Sequence, residues 1–391
     1  MREGFVRLGD VCTISGGYTP KPSQLFPEGD IPYFKVADMN RIGNEISLCY
    51  TDQFLKEARK VFPKGAIVFP KNGGAVATNK KRILAHDAVV DLNTGIAIPR
   101  ERVDNQYLFY FFQGIDFKCF IKEGTLPVLR TKEIANLPFY FPSLPEQQRI
   151  VGILDQEFAK IDDLKANAEK SLQGAKDLFQ ATLKKELEPK EGWKSAQLKD
   201  IATIRPPKKE LNALPLDLPV SFLPMEDLGI MDFDISPTQT KTLGELAGSY
   251  TYFAEGDVLL AKVTPCFENG KQGIARHLTN GIGFGSSEYI VYRPGNEISA
   301  DFLYYFLATN DFHDRGKKQM HGACGLKRLA KEIAEQSIIS FPDIEVQKKV
   351  AARIREEECK ITNLQQNYQK TLTLCDDLKQ SLLRKAFNGE L

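Results

Sequence analysis

The side chains that most often perform catalysis or bind metals are scattered along this 391-residue sequence without a catalytic spacing. Its histidines are His86, His277, His313 and His321, and none of its seven cysteines forms a C-x-x-C pair. His321 and Cys324 have the spacing of half a metal site, but no second half with matching spacing occurs. The sequence therefore predicts no metal site, and it favours free thiols in a reducing cytoplasm over disulfides.

Motifs that bind nucleotide cofactors are missing as well. The segment Asn269-Gly270-Lys271 lacks the upstream glycine and the following Ser or Thr of a phosphate-binding loop, and no G-x-G-x-x-G occurs. The Pro206-Pro207 pair follows Arg205, unlike the Asn/Asp-Pro-Pro-aromatic motif of amino-methyltransferases. The carboxylates fit no nuclease or glycosidase pattern. We therefore expect no cofactor and no catalysis by this chain alone.

The composition is that of an ordinary soluble globular protein, with 42% hydrophobic and 26% charged residues. No apolar run approaches the roughly 18 residues that span a bilayer. Residues 1–5 lack the apolar stretch of a signal peptide, so a cytoplasmic location is expected. The net charge of +1 gives no indication of a nucleic-acid partner. Any DNA binding would use small basic patches, or a partner would have to supply charge.

Two segments of the chain are copies of one helical unit, and they would position the remaining elements. Residues 141–191 and 341–391 align without gaps at a constant offset of 200. Apolar residues recur in them at heptad spacing, which is typical of a seam between long helices. The seam positions are Leu154, Ile161, Ala168 and Ala175 in the first copy and Ile354, Ile361, Tyr368 and Cys375 in the second.

The limits of both helices can be predicted from their flanking residues. The first helix is expected from Leu144 to Leu187, where Pro189 prevents its continuation, and the second from Ile344 to Asn388-Gly389. Because the first helix leads directly into the following module, a short linker favours an antiparallel pair. We expect the matched apolar positions, including Leu164 and Leu172 with their second-copy partners, to serve this pairing alone.

The repeat extends into the modules before each helix. Lys64–Phe69 is echoed by Glu255–Leu260, a turn glycine leading into a buried strand, and the aromatic run Tyr107–Phe112 is echoed by Phe302–Leu307, a predicted core helix. Short β-branched runs lie between many glycines and prolines. The predicted fold is α+β, with two tandem domains separated by an antiparallel coiled coil of long helices. The predicted segments are a first domain at 1–143, a central helix at 144–188, a second domain at 189–342 and a C-terminal helix at 343–391.

Several motifs together resemble a known family over nearly the whole chain. In the first module these are Gly16-Gly17-Tyr18-Thr19-Pro20 and residues 29–38. In the second they are residues 220–228, 264–271 and 283–294, and residues 141–151 open the long helix. The sequence resembles the specificity subunit of type I restriction–modification systems. The second helix departs from the family pattern, because Glu345-Val346-Gln347 replaces Pro-Glu-Gln.

The resemblance implies two target-recognition domains, each reading one half of an asymmetric bipartite DNA site. It also implies that the helical pair sets the spacing of the half-sites and docks two methyltransferase subunits, and that restriction subunits join the complex. A homodimer reads two half-sites by symmetry. A single chain with diverged repeats can instead read an asymmetric site.

Side chains suited to phosphates and base edges are Arg, Lys, Asn, Gln, Ser and Thr. In the first module the predicted DNA contacts are Thr19, Lys21, Lys35, Lys71, Asn72, Lys80, Lys81, Arg82 and Arg130. In the second module they are Arg205, Lys208, Lys209, Lys262, Thr264, Asn269, Lys271, Gln272, Ser286, Lys327 and Arg328. Glu288 fits a structural role as well as it fits cytosine reading. The predicted contacts with a methyltransferase are Gln147, Arg149, Gln347 and Lys349.

Two other functions remain open on the sequence alone. One is a catalytic protein such as a fused methyltransferase or nuclease, against which the missing motifs count. The other is a coiled-coil interaction protein whose modules bind protein or carbohydrate. Sequence-dependent retardation of duplex DNA would separate this second alternative from a specificity subunit.

Overall fold

Each of two structural units joins segments that are far apart in the sequence. Unit 1 comprises Met1–Glu169 and Lys370–Leu391, and unit 2 comprises Lys170–Gln369. The structure, a computed structural model, describes residues 3–122, 124, 126–323 and 325–391. Cys324, half of the metal motif considered above, lies outside the described residues. The division into units falls within both long helices, whereas the predicted segments end at residues 143, 188 and 342.

Unit 1 contains small sheets and short helices around an aromatic core. Its strands are β1 Phe5–Arg7, β2 Cys12–Gly16, β3 Ile31–Phe34, β4 Ser47–Leu48, β5 Phe54–Leu55, β6 Ile67–Pro70, β7 Arg82–Leu84, β8 Val89–Val90, β9 Thr94–Pro99, β10 Ile121–Lys122, β11 Val128–Leu129 and β12 Pro138–Tyr140. Its helices are α1 Leu8–Val11, α2 Asn105–Gly114, α3 Thr131–Ala135 and the first part of α4 Leu144–Leu187. The strand orders are β2-β9-β6-β7-β4 and β5-β3-β8, with separate β1-β12 and β10-β11 pairs.

Unit 2 repeats this plan with longer strands. Its strands are β13 Lys194–Gln197, β14 Ala202–Ile204, β15 Pro219–Leu223, β16 Asp232–Ile235, β17 Gln239–Thr242, β18 Thr251–Ala254, β19 Val258–Ala261, β20 Gln272–Ala275, β21 Ile282–Gly285, β22 Tyr289–Pro294, β23 His321–Ala323, β24 Leu326–Arg328 and β25 Ile338–Phe341. Its helices are α5 Leu198–Ile201, α6 Leu243–Leu246, α7 Ala300–Leu307, α8 Asn310–Lys318, α9 Lys331–Gln336 and most of α10 Ile344–Phe387. The strand orders are β14-β22-β19-β20-β16 and β17-β15-β21-β18.

The two main sheets have the same order, because β2, β9, β6, β7 and β4 correspond to β14, β22, β19, β20 and β16. In both sheets the last strand is parallel to its neighbour. The strands β6 and β19 are fully buried, and each follows a glycine with positive φ, Gly65 at +85° and Gly256 at +82°. A side chain would be strained at those angles. The predicted turn glycines therefore begin equivalent strands.

The aromatic runs form core helices, as the sequence predicts. In α2 every residue from Tyr107 to Phe112 is buried, and α7 buries nearly the same set. Both helices begin at a capping side chain, since Asp104 accepts from the Tyr107 amide and Ser299 accepts from the Phe302 amide. The predicted α+β class and the two tandem copies are confirmed by this correspondence.

The long helices run antiparallel in each unit. In unit 1, Lys165 pairs with Asp376 at 2.7 Å and Asp162 pairs with Lys379, so rising numbers in α4 meet falling numbers in α10. In unit 2, Glu186 of α4 pairs with Arg353 of α10 at 2.7 Å. The predicted seam is buried at Leu154, Ile161, Ala168, Ala175, Ile354, Ile361 and Cys375, while Tyr368 is half-buried. The antiparallel coiled coil is thus confirmed.

One part of the helix prediction is wrong. Leu164 is 50% exposed and Leu364 is 42% exposed, so neither serves the pairing alone. The second row of the seam lies four residues after the first, at Phe158, Lys165 and Leu172, which are half-buried. A residue three positions after Ile161 is therefore turned out of the seam. Among the described residues no helix is long and apolar enough to cross a membrane.

Candidate nucleic-acid interface

The loop that follows the buried strand β6 carries two of the predicted contacts of unit 1 and has a well-defined backbone. Lys71 and Asn72 follow this strand immediately, as predicted. The Leu129 amide donates to the Lys71 carbonyl at 2.9 Å, and the Gly73 amide donates to the Pro127 carbonyl at 2.8 Å. The β10–β11 hairpin thus lies along the loop and fixes its backbone. We call residues 71–73 the post-strand loop of unit 1.

Unit 2 repeats this arrangement bond for bond. The Leu329 amide donates to the Lys262 carbonyl at 2.8 Å, and the Thr264 amide donates to the Lys327 carbonyl at 2.9 Å. Residues 262–264 are therefore the post-strand loop of unit 2, lying along the β23–β24 hairpin. Counted from Gly65 and Gly256, Lys71 and Lys262 occupy the same position of the repeat. Each copy presents a lysine at the end of its buried strand.

The glycine-rich loop of unit 1 lies beside its post-strand loop. A Cβ on Gly17 would come within 2.1 Å of the Val90 carbonyl oxygen, so only glycine fits there. A Cβ on Gly16 would meet the Lys71 Nζ at 2.5 Å, which shows how closely this ammonium packs on the loop. Thr19 and Lys21 follow and are exposed. The structure thus brings Lys71 against Gly16, three residues before Thr19, although the sequence separates the two loops widely.

Arg59 is a further basic residue of this region, and the sequence analysis missed it. Its guanidinium stacks over the Tyr18 ring at 4.2 Å, next to the exposed Thr19. Lys35 is exposed, and its ammonium lies 5.9 Å from the Tyr33 ring. No motif or spacing links Arg59 to the glycine-rich loop, because the contact is tertiary. The composition of residues 56–60, with three basic side chains, was the available signal.

In unit 2, three basic residues that the sequence predicts as DNA contacts line a cavity of about 280 Å³. Its lining includes Arg205, Lys208 and Lys262, together with Tyr250 and Ser287. Burial lowers the pKa of Lys262, and the nearby Arg205 lowers it further, while Glu288 opposes both effects. Such a gathering of positive charge beside hydroxyl groups suits a phosphate oxygen. Lys208 already donates to the Ala247 carbonyl at 2.7 Å.

Glu288 has a structural role in this cluster. Both carboxylate oxygens of Glu288 accept hydrogen bonds from the Arg328 guanidinium on strand β24, and the shortest of these bonds is 2.7 Å. The Lys262 ammonium lies 3.7 Å from the same carboxylate. The Arg328 hydrogen bond holds the pKa of Glu288 below its ordinary value. The carboxylate therefore ties the hairpin to the post-strand loop and neutralises part of the charge of Arg328.

The structure corrects the predictions for Lys81 and Arg82 in unit 1. Lys81 is 1% exposed, and its ammonium donates to the Ile115 carbonyl at 2.5 Å and to the Asn79 side chain at 2.7 Å. It cannot reach a DNA phosphate. The Arg82 guanidinium is half-buried and donates to the carbonyls of Met39, Asn44 and Lys81, so it supports loops instead.

Two residues of unit 2 are corrected in the same way. Gln272 is fully buried in β20 and donates to the Tyr304 carbonyl at 3.2 Å. It is therefore a core residue and no base reader. The Lys271 ammonium donates to the Met225 carbonyl at 2.9 Å and to the Glu226 carbonyl at 3.4 Å. Lys271 thus holds the loop after β15, as Lys208 and Lys262 hold the Ala247 and Ser287 carbonyls at 2.7 and 2.8 Å.

The remaining predicted DNA contacts lie at or near the surface. Lys80 hydrogen-bonds the Asn40 side chain, and Arg130 donates to the Cys119 and Phe120 carbonyls as well as to Glu133. Ser286 accepts from the Glu288 amide, and the Thr264 hydroxyl lies 3.3 Å from the Lys327 carbonyl. Arg130, Lys209, Asn269 and Lys327 are exposed.

Gln147 and Gln347 are not surface contacts, contrary to the prediction. Both are fully buried at the first turn of a long helix. The Gln147 side chain accepts from the Asp104 amide at 2.9 Å and donates to the carbonyls of Arg102 and Pro142 at 3.0 and 2.9 Å. We call this arrangement the glutamine clamp.

The second copy has the same clamp despite its altered helix start. Gln347 accepts from the Ser299 amide at 2.9 Å and donates to the carbonyls of Glu297 and Pro342 at 2.7 and 2.8 Å. The other two predicted partner contacts, Arg149 and Lys349, are exposed. Arg149 forms an ion pair with Glu146 at 2.7 Å.

The fold and this surface define a class of protein in which one chain carries two equivalent binding units. Each unit presents a lysine-bearing loop, a hairpin and a clamped helix start. Within the described ranges no group of three or more His, Cys, Asp or Glu side chains could hold a metal ion.

The chain belongs to the family of the type I restriction modification DNA specificity domain. The family's model matches it twice, over residues 3–173 and 190–370. The two matches coincide with the two copies of the repeat, which confirms the resemblance found in the sequence.

Individual relatives agree with this assignment. The specificity subunit of the type I restriction enzyme EcoEI from Escherichia coli is 32% identical over 200 residues, which is 51% of this chain and 31% of that protein. The MjaIX specificity subunit from Methanocaldococcus jannaschii is 26% identical over 42% of this chain and 39% of its own length. The alignment with EcoEI thus spans about a third of that relative.

Solved structures share the fold over the whole chain. A structure from work on the assembly and conformational transition of a type I R-M system covers 99% of this chain and 98% of its own, with a TM-score of 0.74 and 18% identity. The HsdS subunit from Thermoanaerobacter tengcongensis covers 100% of this chain and 98% of its own, with a TM-score of 0.54 and 18% identity. None of these comparisons supports the alternative of a protein- or carbohydrate-binding coiled-coil protein.

Proposed function

We propose that this chain is the DNA-recognition subunit of a type I restriction–modification complex, and that each copy of the repeat reads one half of an asymmetric bipartite site. The target-recognition domains would be residues 1–143 and 189–342, with the helical pair setting the spacing of the half-sites. One observation carries the proposal. The post-strand loops place Lys71 and Lys262 at the same position of two matching sheets, while the sequences around them differ.

The geometry suits a division of labour between phosphate and base contacts. The post-strand lysines sit at the ends of fully buried strands, so their backbone is held rigidly where a phosphate would bind. Contacts of this kind fix position and orientation on the duplex. Base edges are read by shorter polar side chains. In this proposal Thr19 and Asn72 read bases in unit 1, and Thr264, Asn269 and Ser286 read bases in unit 2.

The proposed phosphate contacts are basic side chains that are not buried, and four of them, Lys80, Lys208, Lys262 and Arg328, would exchange a hydrogen bond within the protein for the phosphate. In unit 1 they are Lys21, Lys35, Arg59, Lys71 and Lys80, and in unit 2 they are Arg205, Lys208, Lys209, Lys262, Lys327 and Arg328. Arg130 is a further candidate whose guanidinium already donates to two carbonyls and to Glu133.

The chain itself would catalyse nothing and hold no cofactor. In this proposal methyl transfer belongs to methyltransferase subunits that carry S-adenosylmethionine, and cleavage belongs to restriction subunits. The subunit contributes sequence specificity and a scaffold. Family membership supports this assignment of roles.

Exposed leucines on the helical pair support the docking of two copies of one partner. In unit 1, the register of the ion pairs places Leu164 of α4 level with Leu378 of α10. In unit 2, the equivalent residues Leu178 and Leu364 lie within about one turn of each other along the pair. All of these leucines are exposed. Apolar surface at repeated positions on otherwise charged helices is typical of a protein contact, and one patch per unit fits two methyltransferase subunits.

The proposal can be tested by mapping modified bases in the host DNA before and after deletion of the gene. We expect one split adenine motif to lose its methylation in the deletion strain and to regain it on complementation. An unchanged methylation pattern would contradict the proposed function. Electrophoretic retardation of duplexes carrying the mapped motif, with and without the co-purified partner subunits, then shows whether recognition requires the complex. Methyl transfer by the purified chain alone would instead support a catalytic function.

A further inference from the structure

The two hairpins carry an exposed leucine at the same position of the repeat. The hydrogen bonds to the post-strand loops equate Leu129 with Leu329, and three residues earlier lie Leu126 and Leu326. Leu126 is 60% exposed and Leu326 is 50% exposed. A single exposed leucine needs no explanation. Retention of one at an equivalent place in two diverged copies indicates a shared use.

The inner ends of the hairpins are anchored in the protein core, in contrast to these exposed leucines. Leu129 and Leu329 are buried in the cores of their units. In unit 2 the β23–β24 ladder is exposed on every residue from His321 to Ala323 and from Leu326 to Arg328. The hairpin is therefore a projection on a fixed base, and Leu326 lies near its outer end.

Basic side chains flank both hairpins, and Glu123 follows Lys122 in the sequence of the unit 1 hairpin. Lys122 in unit 1 and Lys327 in unit 2 are exposed on hairpin strands, and each hairpin lies along a post-strand loop with its own lysine. In unit 2 the Glu288 carboxylate is held by Arg328 of the hairpin. An apolar tip framed by cations complements a polyanion with an apolar interior, which is the character of stacked base pairs between phosphates.

We propose that Leu126 and Leu326 enter between neighbouring base pairs of their half-sites as apolar wedges, while the flanking lysines hold the phosphates on either side. This inference rests on the proposed function and deepens it. Each wedge would partly unstack one step and bend the duplex there. The base-pair step that unstacks most easily would then be favoured. This preference adds sequence specificity without a hydrogen bond to a base.

The test uses the full chain in complex with its co-purified partner subunits, bound to duplexes that carry the mapped motif. The fluorescent base 2-aminopurine, placed in turn at each position of a half-site, reports unstacking by increased emission. We expect increased emission at one step in each half-site. Leu326→Ser should abolish the signal in the half-site of unit 2 alone and weaken binding about tenfold, as expected when one leucine side chain stays in water. Leu326→Phe should retain the signal.

Leu216→Ser, at an exposed leucine elsewhere in unit 2, is the matched control and should leave emission and affinity unchanged. Normal DNA binding with no increase at any step would overturn the wedge and leave the proposed function intact. The same holds if Leu126→Ser and Leu326→Ser release partner subunits but do not change the DNA signal, because the hairpins would then contact protein. Failure of the wild-type complex to bind the motif would instead defeat the proposed function.

Discussion

Lys81 shows how differently two adjacent basic residues can be used. It follows Lys80 in a run of three cations, yet its ammonium is buried against the Phe117 ring at 4.3 Å and between two hydrogen-bond acceptors. Burial lowers its pKa from the ordinary 10.5 to about 7, although Asp116 opposes the change. A charge run usually indicates a solvated surface. Here only the fold of the loop between β6 and β7 determines which cation points inward.

This burial predicts a pH dependence of stability. Because the folded-state pKa of Lys81 lies below the unfolded value, the unfolded chain binds more protons between about pH 7 and 10, and folding becomes more favourable as pH rises through that window. The gain is at most about 1.4 kcal/mol per pH unit for one proton. Urea-unfolding midpoints of the wild type and of Lys81→Met are measured at pH 7, 8 and 9. The midpoint of the wild type should rise with pH relative to that of Lys81→Met, which has no ammonium to deprotonate. Parallel curves would contradict the expectation.

Lys71 provides the residue-scale test of DNA contact. Lys71→Ala should weaken binding to the half-site of unit 1 and reduce the slope of log affinity against log salt by about 0.9, the change for one lost phosphate contact. Lys64→Ala is the control, because Lys64 is exposed just before the other end of the same strand. A binding titration at several salt concentrations measures both. Equal slopes for the two variants would refute the contact.

At this scale the sequence predicts which residue types form the candidate site better than it predicts which individual residues belong to it. The side chains expected after the buried strands, Lys71 and Lys262, are where the repeat places them. Gln272 and Lys81 have suitable chemistry but are buried, and Arg59 was missed. Exposure depends on how a loop packs on distant strands, and a single sequence does not contain that information. Position relative to a repeated strand identifies equivalent residues in the two units, which residue type alone does not.

The glutamine clamp is the main device at the scale of elements. It ties the first turn of each long helix to the segment that precedes the aromatic core helix, through bonds to one amide and two carbonyls. Both glutamine side chains are fully buried, and each satisfies three partly buried backbone groups together, so the clamp fixes how the preceding segment meets its long helix. The sequence repeat marks Gln147 and Gln347 as special, but it does not distinguish a clamp from a docking surface.

Loss of the clamp should be costly. Gln147→Ala removes hydrogen bonds to one amide and two carbonyls that are partly buried, and each such bond contributes about 0.5–1.5 kcal/mol, so a loss of about 1.5–4.5 kcal/mol in the free energy of unfolding is expected. Gln147→Glu should be nearly as damaging, because a carboxylate cannot donate to the Arg102 and Pro142 carbonyls. The control Arg149→Ala, exposed on the same turn, should change stability by less than about 0.5 kcal/mol. Chemical denaturation of the variants provides the comparison, and a Gln147→Ala variant as stable as the control would show that the bonds are dispensable.

The exposed leucines of the helical pair make a prediction about partners. Replacing Leu164 and Leu378 together by serine removes the apolar patch of unit 1 but leaves that of unit 2. The complex should then retain one methyltransferase subunit in place of two, as measured by native mass, while thermal stability stays unchanged. Ile42→Ser, at an exposed position of unit 1, serves as the control. Retention of both partner copies by the double variant would place the docking surface elsewhere.

At the scale of the whole molecule, the repeated frame predicts that the half-sites are read independently. Lys71→Ala should impair one half of the methylated motif and Lys262→Ala the other, and the losses of binding free energy should add within about 0.5 kcal/mol in the double variant. Titrations against duplexes altered in one half-site at a time measure this. A variant that impairs both halves equally would indicate that the units do not act separately.

The sequence predicts the duplicated architecture well, because the helical copies align without gaps and their seam has a clear period. It does not predict the strand order β2-β9-β6-β7-β4 or its counterpart, since many short strands separated by glycines and prolines leave the pairing open. Nor does it predict where the units divide. That boundary depends on α10 supplying buried residues such as Leu383 to unit 1 and Val350 to unit 2.

The participation of residues 370–391 in unit 1 has a consequence for biosynthesis. Leu383 and Ala386 complete an interior whose other members are encoded by the first part of the gene. A ribosome must therefore translate all of unit 2 before the core of unit 1 can be completed. Until then, the nascent unit 1 has part of its apolar core surface exposed. A protein that lacks residues 370–391 would therefore leave the interior of unit 1 incomplete.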